Sequence, residues 1–322
     1  MSRLNDNPGN RPARQADSDS TDFTFAPATR EKAKARLAIM GVSGSGKTWT
    51  GLRLTNGLSR RFAVIDTERG AASKYAGING VTFDTLQLHN YHPQNLISAL
   101  AAAANAGYEA VLVDSLTHFW SGTEGTLAQV DRAAKSFGGN TFGGWKEGTP
   151  LQNAMIDALL SYPGHLVATM RSHTEWSLQT NAKGKKEPVR LGLRPEQRRG
   201  VEYEFDVVAQ MDTDNTFSVI KSRCPDLHAL VLERPDGADI AKTMLAWLDD
   251  GATGIDPATY VDRATADDVT FEELGALRQE VDSRGLQSTP FLDPANGTAT
   301  TLGEYIRARG LALKNATEGS QP

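Results

Sequence analysis

Apolar residues are sparse over the first thirty positions and then fall into two alternating rhythms. Residues 1–30 are rich in Asn, Asp, Ser, Arg and Pro. A segment of that kind buries too little apolar surface to offset its ordering entropy, so it is expected to be a disordered tail. Asp6, Asp17, Asp19 and Asp22 argue against an acid-poor transit peptide, and the segment has no apolar signal core. From Ala35 onward, short apolar runs alternate with longer helical stretches. The runs Arg36–Gly41, Phe62–Asp66, Val81–Leu88, Ala110–Asp114 and His165–Met170 have strand length, and most are rich in Val, Ile, Leu or Phe. Thr48–Ser59 and Pro93–Asn105 lie between them with helical spacing. Strands alternating with helices predict an α/β fold, a mainly parallel sheet covered by helices on both faces. Sites in such sheets lie beyond the carboxyl ends of the strands.

Past Arg199 the texture changes. Tyr203–Met211, Phe217–Lys221 and Ala229–Leu232 read as antiparallel strands closing the sheet, and Ala238–Leu248 reads as a helix. Gly251–Pro257 reads as a linker, followed by two amphipathic helices, Phe271–Ser283 and Thr301–Leu313. The chain therefore divides into a tail (1–30), an α/β domain (31–250) and a small helical C-terminal extension with a flexible end (251–322).

Composition narrows the classes without choosing among them. Hydrophobic residues make up 39% and charged residues 23% of the 322, as in ordinary globular proteins. A net charge of −5 excludes a non-specific nucleic-acid coat, so contact with DNA would need a local basic patch. Cys224 stands alone, which rules out an internal disulfide and a Cys-based metal cluster and fits a reducing compartment. The most apolar stretch, Leu96–Leu116, is broken by Asn105, Glu109 and Asp114, so no membrane span is expected and a cytoplasmic location is.

The candidate chemistry begins at Gly41-Val42-Ser43-Gly44-Ser45-Gly46-Lys47-Thr48, which fits the Walker A pattern in full, with a strand before it and a helix after it. Glycines let backbone N–H groups converge on phosphate oxygens, and the helix N-terminus adds roughly half a positive charge. Lys47 is expected to reach the β- and γ-phosphates of ATP, and Thr48 to offer its hydroxyl to Mg²⁺. The apolar strand Val111-Leu112-Val113 ends in Asp114, the Walker B arrangement for the Mg²⁺ shell, 67 residues after Lys47. Phe62–Ile65 leads to Asp66-Thr67-Glu68, where Glu68 is placed to polarise water for attack on the γ-phosphate. The rival reading makes Glu68 a solvated loop residue or a partner of Arg69.

These residues resemble the RecA/DnaB-type branch of P-loop ATPases. In that branch the catalytic glutamate sits at the position matched by Glu68, and Ser115 rather than Glu follows Asp114. The similarity extends to phage-encoded RecA-core ATP-binding proteins of recombination and replication, at Arg171-Ser172-His173-Thr174-Glu175, at Arg198 through Asp206 and at Lys221-Ser222-Arg223. It covers about Ala35 to Leu248 and implies a RecA-like fold. Other classes fit less well. The guanine-reading motif of GTPases and the Leu-Ser-Gly-Gly signature of ABC proteins are missing, and Val42 and Ser43 stand where ParA-type ATPases carry an extra Lys.

The resemblance implies further roles. A Lys-x-Arg such as Lys221/Arg223 reaches the neighbouring subunit's γ-phosphate in DnaB- and RadA-like ATPases, where a fixed cation stabilises phosphoryl charge. That role would require a homo-oligomer, and the alternative is a pair of surface cations. Arg171 occupies the strand end where such folds carry a γ-phosphate sensor. Two long connections lie where RecA-like proteins place DNA-binding loops. Phe119–Pro150 holds Trp120, Phe137, Phe142 and Trp145 among glycines, and Arg171–Arg199 carries eight cations against three carboxylates. Aromatics stacking on bases and cations along phosphates suit single-stranded DNA, with Lys183, Lys185, Lys186 and Arg190 as the candidate contacts. The bland alternatives are aromatic packing under a Gly-rich loop and a solvated hairpin with Gly184 at its tip. The sequence is thus read as an Mg²⁺-dependent ATPase acting on single-stranded DNA in phage-type recombination or replication. A helicase-loader or remodelling ATPase, and a nucleotide-gated binding module without turnover, are the rival readings.

Overall fold

The computed structural model describes residues 33–180, 186–250 and 257–318. The expected tail (1–30) and the linker residues 251–256 lie outside that set. Strand β1 (Arg36–Gly41) is buried along its whole length, and β2 (Phe62–Asp66) and β4 (Ala110–Asp114) are too. Their alternation explains why. Leu37 and Ile39 enter one apolar cluster with Leu52 and Leu54 of helix α1 (Lys47–Leu58) and Ile240 and Met244 of α6 (Gly237–Asp249). Ala38 and Met40 point the other way, into a second cluster with Leu96 and Leu100 of α2 (Pro93–Asn105) and Met155 and Leu159 of α5 (Thr141–Leu160). Each fully buried Leu or Ile contributes about 1.5–3 kcal/mol, so the sheet is held from both faces.

The main sheet orders its strands β3-β2-β4-β5-β1-β7-β8-β9, with β6 paired to β5. The edge strand β3 (Asp84–Gln87) is shorter than the Val81–Leu88 run and wholly exposed. Val81, buried, anchors the chain ahead of it. β5 (His165–Thr180) runs parallel between β1 and β4 up to Arg171, and from Ser172 pairs only with β6 (Lys186–Pro195). At about 3.4 Å per residue, that two-stranded ribbon extends roughly 30 Å past the sheet. The apolar run ends at Met170 because a ribbon has no core to fill, not because the strand stops there.

The closing strands are partly as expected. The strand expected over Tyr203–Met211 begins only at Val207, Tyr203 ending a 3-10 turn (Val201–Tyr203), and this strand, β7 (Val207–Met211), pairs parallel with β1. Only β8 (Thr216–Ser222) and β9 (Val231–Glu233) are antiparallel. The Phe119–Pro150 segment, read as a loop-like connection, is helical: α3 (His118–Ser121), α4 (Thr126–Ser136) and the start of α5. Its glycines serve packing. A Cβ at Gly144 would lie 2.3 Å from the Val130 carbonyl, so α4 and α5 approach as closely as they do only without one.

The C-terminal extension has its own small core and is not purely helical. Tyr260 of α7 (Pro257–Thr265), which the sequence reading missed, packs with Leu274, Leu277 and Val281 of α8 (Phe271–Ser283) and with Ile306 of α9 (Leu302–Glu318). A hairpin of β10 (Pro290–Leu292) and β11 (Ala299–Thr301) lies against α2 and joins this unit to the larger domain.

Candidate nucleotide site

The parallel strands β1, β2 and β4 end at Gly41, Asp66 and Asp114 on one edge of the sheet, with Thr169 to Arg171 of β5 between β1 and β4. From Gly41 the chain turns into α1 through a loop whose last residue, Gly46, has φ +85°, a conformation that side chains disfavour. The Val42 carbonyl accepts hydrogen bonds from Ser45 N (3.3 Å) and from Lys47 Nζ (2.6 Å), which folds the lysine over the loop. No side chain caps α1 and its first turn carries no acidic residue. Its N–H groups and positive dipole end are thus left for an anion. Burial lowers the Lys47 pKa, against the pull of Asp114 and Glu68.

Thr48 Oγ1 donates to Asp114 Oδ2 at 2.8 Å, and the hydroxyl of Thr169 donates to Oδ1. Burial pushes the Asp114 carboxyl up; the two hydroxyls oppose this, while Glu68 and Asp66 add to it. A buried carboxylate crowded by two others, beside a hydroxyl and an anion-ready loop, has the chemistry a divalent cation satisfies. Mg²⁺ takes one or two protein oxygens and keeps its remaining ligands as water and phosphate, so Thr48 and Asp114 fit it. The Asp114–Ser115 peptide is cis.

Glu68 lies across the strand edge. Burial raises its carboxyl pKa, but the hydrogen bonds and charge of Arg171, aided by His118 and Ser115, outweigh that and hold it below the usual carboxylate range. Its backbone N–H donates to Asp66 Oδ1 at 2.6 Å, which fixes the turn after β2. Among the described residues its ion-pair partner is Arg171, not Arg69. Arg171, expected to face a γ-phosphate, here faces Glu68.

Sequence reasoning missed Thr169, Ser115 and His118. Thr169 had a readable signal, a polar residue at a fully buried position in an otherwise apolar run. His118 had none, because it reaches the site only through the fold of α3.

Lys221 and Arg223 are not in this constellation. β8 runs antiparallel to β7 and places Ser222 opposite Val207, near the amino end of β1, at the far edge of the sheet from Gly41. Lys221 Nζ donates to the carbonyls of Tyr203 and Phe205, and Arg223 Nη1 to Asp206 Oδ1 at 2.8 Å. In their own chain they brace the turn before β7, away from the phosphate loop of that chain. Of the expected DNA contacts, Lys183 and Lys185 lie outside the described residues. Lys186 opens β6 and is exposed, and Arg190 stands opposite Trp176 in the ribbon. Arg194 and Arg199 pair with Glu175.

A family model described as an AAA domain matches residues 33–229, more than half of the chain. The chain belongs to the AAA domain family. The match begins ahead of β1 and ends just before β9, so Lys47, Thr48, Glu68 and Asp114 all fall within this AAA domain. Helix α6 and the C-terminal unit lie beyond it. Membership makes the chain a P-loop AAA-type protein of nucleotide-binding, ATPase character, in keeping with the strand–loop–helix geometry at Gly41–Thr48. Comparison with curated proteins finds no match. Among the described residues no helix is long and apolar enough to cross a membrane.

Proposed function

We propose that this AAA domain hydrolyses ATP with Mg²⁺ as a RecA-like P-loop ATPase, and that it acts on single-stranded DNA in phage-type recombination or replication, in the host cytoplasm. The observation that carries the hydrolytic part is the meeting of Lys47, the Thr48–Asp114 pair and an ionised Glu68 at one edge of the sheet. Two features support the RecA-like branch. Strand β5 separates β1 from β4, and the Glu68 carboxylate stands in the turn after the neighbouring strand β2, with Ser115 following Asp114.

The loop N–H groups and Lys47 hold the phosphates of ATP. Thr48 and Asp114 would hold Mg²⁺, which would supply neutralisation of phosphate charge. Glu68 accepts the proton of the attacking water, a step worth about 10²–10⁴ in rate. Arg171, whose guanidinium is half-exposed, exchanges the Glu68 carboxylate for γ-phosphate oxygens as the nucleotide enters. Neighbouring copies complete the site if Lys221 and Arg223 act in trans, because both stand at the opposite edge of the sheet.

Two features support DNA as the partner. The β5–β6 ribbon carries Lys186 and Arg190 past the sheet. The α4–α5 junction carries Phe142, 83% exposed, and Phe137, and Trp120 of α3 forms a tilted pair with Trp145 of α5 at 5.9 Å between centroids. Stacking on such rings is worth about 1–3 kcal/mol per base. One observation favours the rival module that binds ATP without turnover: Glu68 is fully engaged by Arg171. ATP hydrolysis measured with and without a single-stranded oligonucleotide, with Lys47→Ala as the blank, separates the readings. Turnover that DNA stimulates supports the proposal. Turnover indifferent to DNA leaves the ATPase and favours a loader or remodelling role, and binding without turnover favours the gated module.

A further inference from the structure

His118 is a titratable side chain at the site that the proposed reaction leaves unused. It follows β4 on the short helix α3, and its side chain is only 16% exposed. Its ring stacks on Tyr91 at 4.9 Å between centroids and 24° between planes. The Tyr91 hydroxyl donates to the Thr67 carbonyl at 3.2 Å, so the tyrosine is fixed in turn. On its other side His118 Nδ1 lies 2.7 Å from Thr67 Oγ1 and 4.0 Å from Glu68 Oε1.

The hydrogens can be assigned. Thr67 Oγ1 accepts from Ser115 N at 2.7 Å and lies 3.0 Å from the Ser115 carbonyl. The hydroxyl has a single hydrogen. All three Thr67 contacts are hydrogen bonds only if that hydrogen goes to Ser115 O and His118 donates from Nδ1. The protonated Nδ1 then stands beside Glu68, while Ser115 Oγ donates to Glu68 Oε1 at 3.1 Å. Arg171 holds the same carboxylate from the β5 side, so Arg171 and Ser115 bind it directly and His118 acts on it through Thr67.

We propose that His118 is a positioning residue for Glu68: clamped between the Tyr91 ring and the Thr67 hydroxyl, it keeps the carboxylate on the water side of the site once Arg171 turns to the nucleotide. The inference rests on Glu68 as the base. Neutral His118 steadies Glu68 indirectly, by donating its Nδ1–H to Thr67 Oγ1 in the turn that carries the carboxylate. Protonated His118 binds the carboxylate as an imidazolium and lowers its basicity, so turnover falls on the acid side. The charged groups facing the imidazole are Glu68 and Arg69 after β2, Arg171 of β5 and Glu196 after β6. Burial, the largest influence, keeps the imidazole neutral to a lower pH than a free histidine.

The test is kcat for ATP as a function of pH in the intact chain, for wild type, His118→Gln and His118→Phe, with Glu68→Gln alongside. Nucleotide binding and thermal melting of each variant are recorded in parallel. The expected wild-type profile has an acid limb, falling about tenfold per pH unit below its midpoint, with that midpoint under 6.5. His118→Gln, which keeps an N–H donor, should lose the limb and retain kcat near pH 8 within a few-fold. His118→Phe should lose the limb and at least about tenfold in kcat at every pH, with KM little changed. Should His118→Phe fail to fold, the limb in wild type and His118→Gln decides. The same limb in both proteins overturns the proposal, as does wild-type kcat in His118→Phe. If Glu68→Gln turns over ATP normally, the Glu68 assignment itself fails and the role of His118 goes with it. An inactive Glu68→Gln beside unchanged His118 variants overturns the His118 role alone.

Discussion

Arg171 grips the carboxylate of Glu68 with two hydrogen bonds, from Nε at 3.1 Å and from Nη2 at 2.6 Å. The pair joins β5 to the turn after β2 and spans the space in front of the phosphate loop. The same contact keeps Glu68 ionised, because burial alone would push its carboxyl up.

Removing the guanidinium therefore changes the chemistry of Glu68, and not only a surface ion pair. In Arg171→Ala burial is no longer opposed, and the Glu68 pKa rises. A base must be deprotonated to act, so the pH below which kcat/KM, which reports the free enzyme, falls should move upward relative to wild type. A pH–kcat/KM profile of the two proteins checks this, and an unmoved or lowered acid limit contradicts it.

Arg36 shows what holds the other end of the same strands. Its guanidinium is buried and donates to the carbonyls of Leu160 and Gly164, each at 2.7 Å, and to that of Tyr162. Its backbone N–H donates to Asp206 Oδ2 at 3.3 Å. Arg36→Met fills part of the volume but leaves those buried carbonyls without their donor. The expected loss is about 3–5 kcal/mol, read as a lower urea midpoint with unchanged slope.

His165, beside it, predicts how stability depends on pH. Nδ1 accepts from Ala35 N at 3.0 Å, which only a neutral ring can do. Burial brings its pKa down from 6.5 to about 4. Above pH 6.5 neither folded nor unfolded chain protonates it, and the group makes no difference. Between 6.5 and about 4 the unfolded chain takes up a proton that the folded chain refuses, so stability falls with falling pH. From pH 7 to 5 this amounts to roughly 2 kcal/mol. Urea midpoints at the two pH values should show that loss in wild type and not in His165→Gln.

The nucleotide site was largely legible because its signals are local. The Walker A spacing, the apolar run ending in Asp114 and the run ending in Asp66 each announce a strand end with its polar residue. Parallel pairing then brings those ends together without further instruction. What the sequence hid depends on tertiary context. β5 continues ten residues past Met170, the last nine as a ribbon, which needs no apolar pattern. The glycines around 143–148 looked like loop punctuation, yet they mark a helix pair packed so closely that Gly144 has no room for a methyl group. His118 and Arg171 reach Glu68 across three strands, and no spacing along the chain encodes that. Lys221 and Arg223 follow from β8 being antiparallel, which sends them to the opposite edge.

The cations of the Arg171–Arg199 connection yield a prediction about the proposed partner. Changing Lys183, Lys185 and Lys186 together to Glu should weaken single-stranded DNA binding by at least about tenfold at 50 mM salt and flatten its salt dependence. ATP binding should be unaffected. Fluorescence anisotropy of a labelled oligonucleotide measures it, and undiminished affinity removes the ribbon from the DNA site.

The central claim is that Glu68 is the base of an ATP-hydrolysing site built on Gly41–Thr48 and Asp114. The most direct measurement compares Glu68→Gln with wild type for steady-state ATP hydrolysis and, in the same preparation, for binding of a fluorescent ATP analogue with Mg²⁺. Hydrolysis reduced by about 10²-fold or more with binding retained is the predicted result. Wild-type turnover in Glu68→Gln would contradict it.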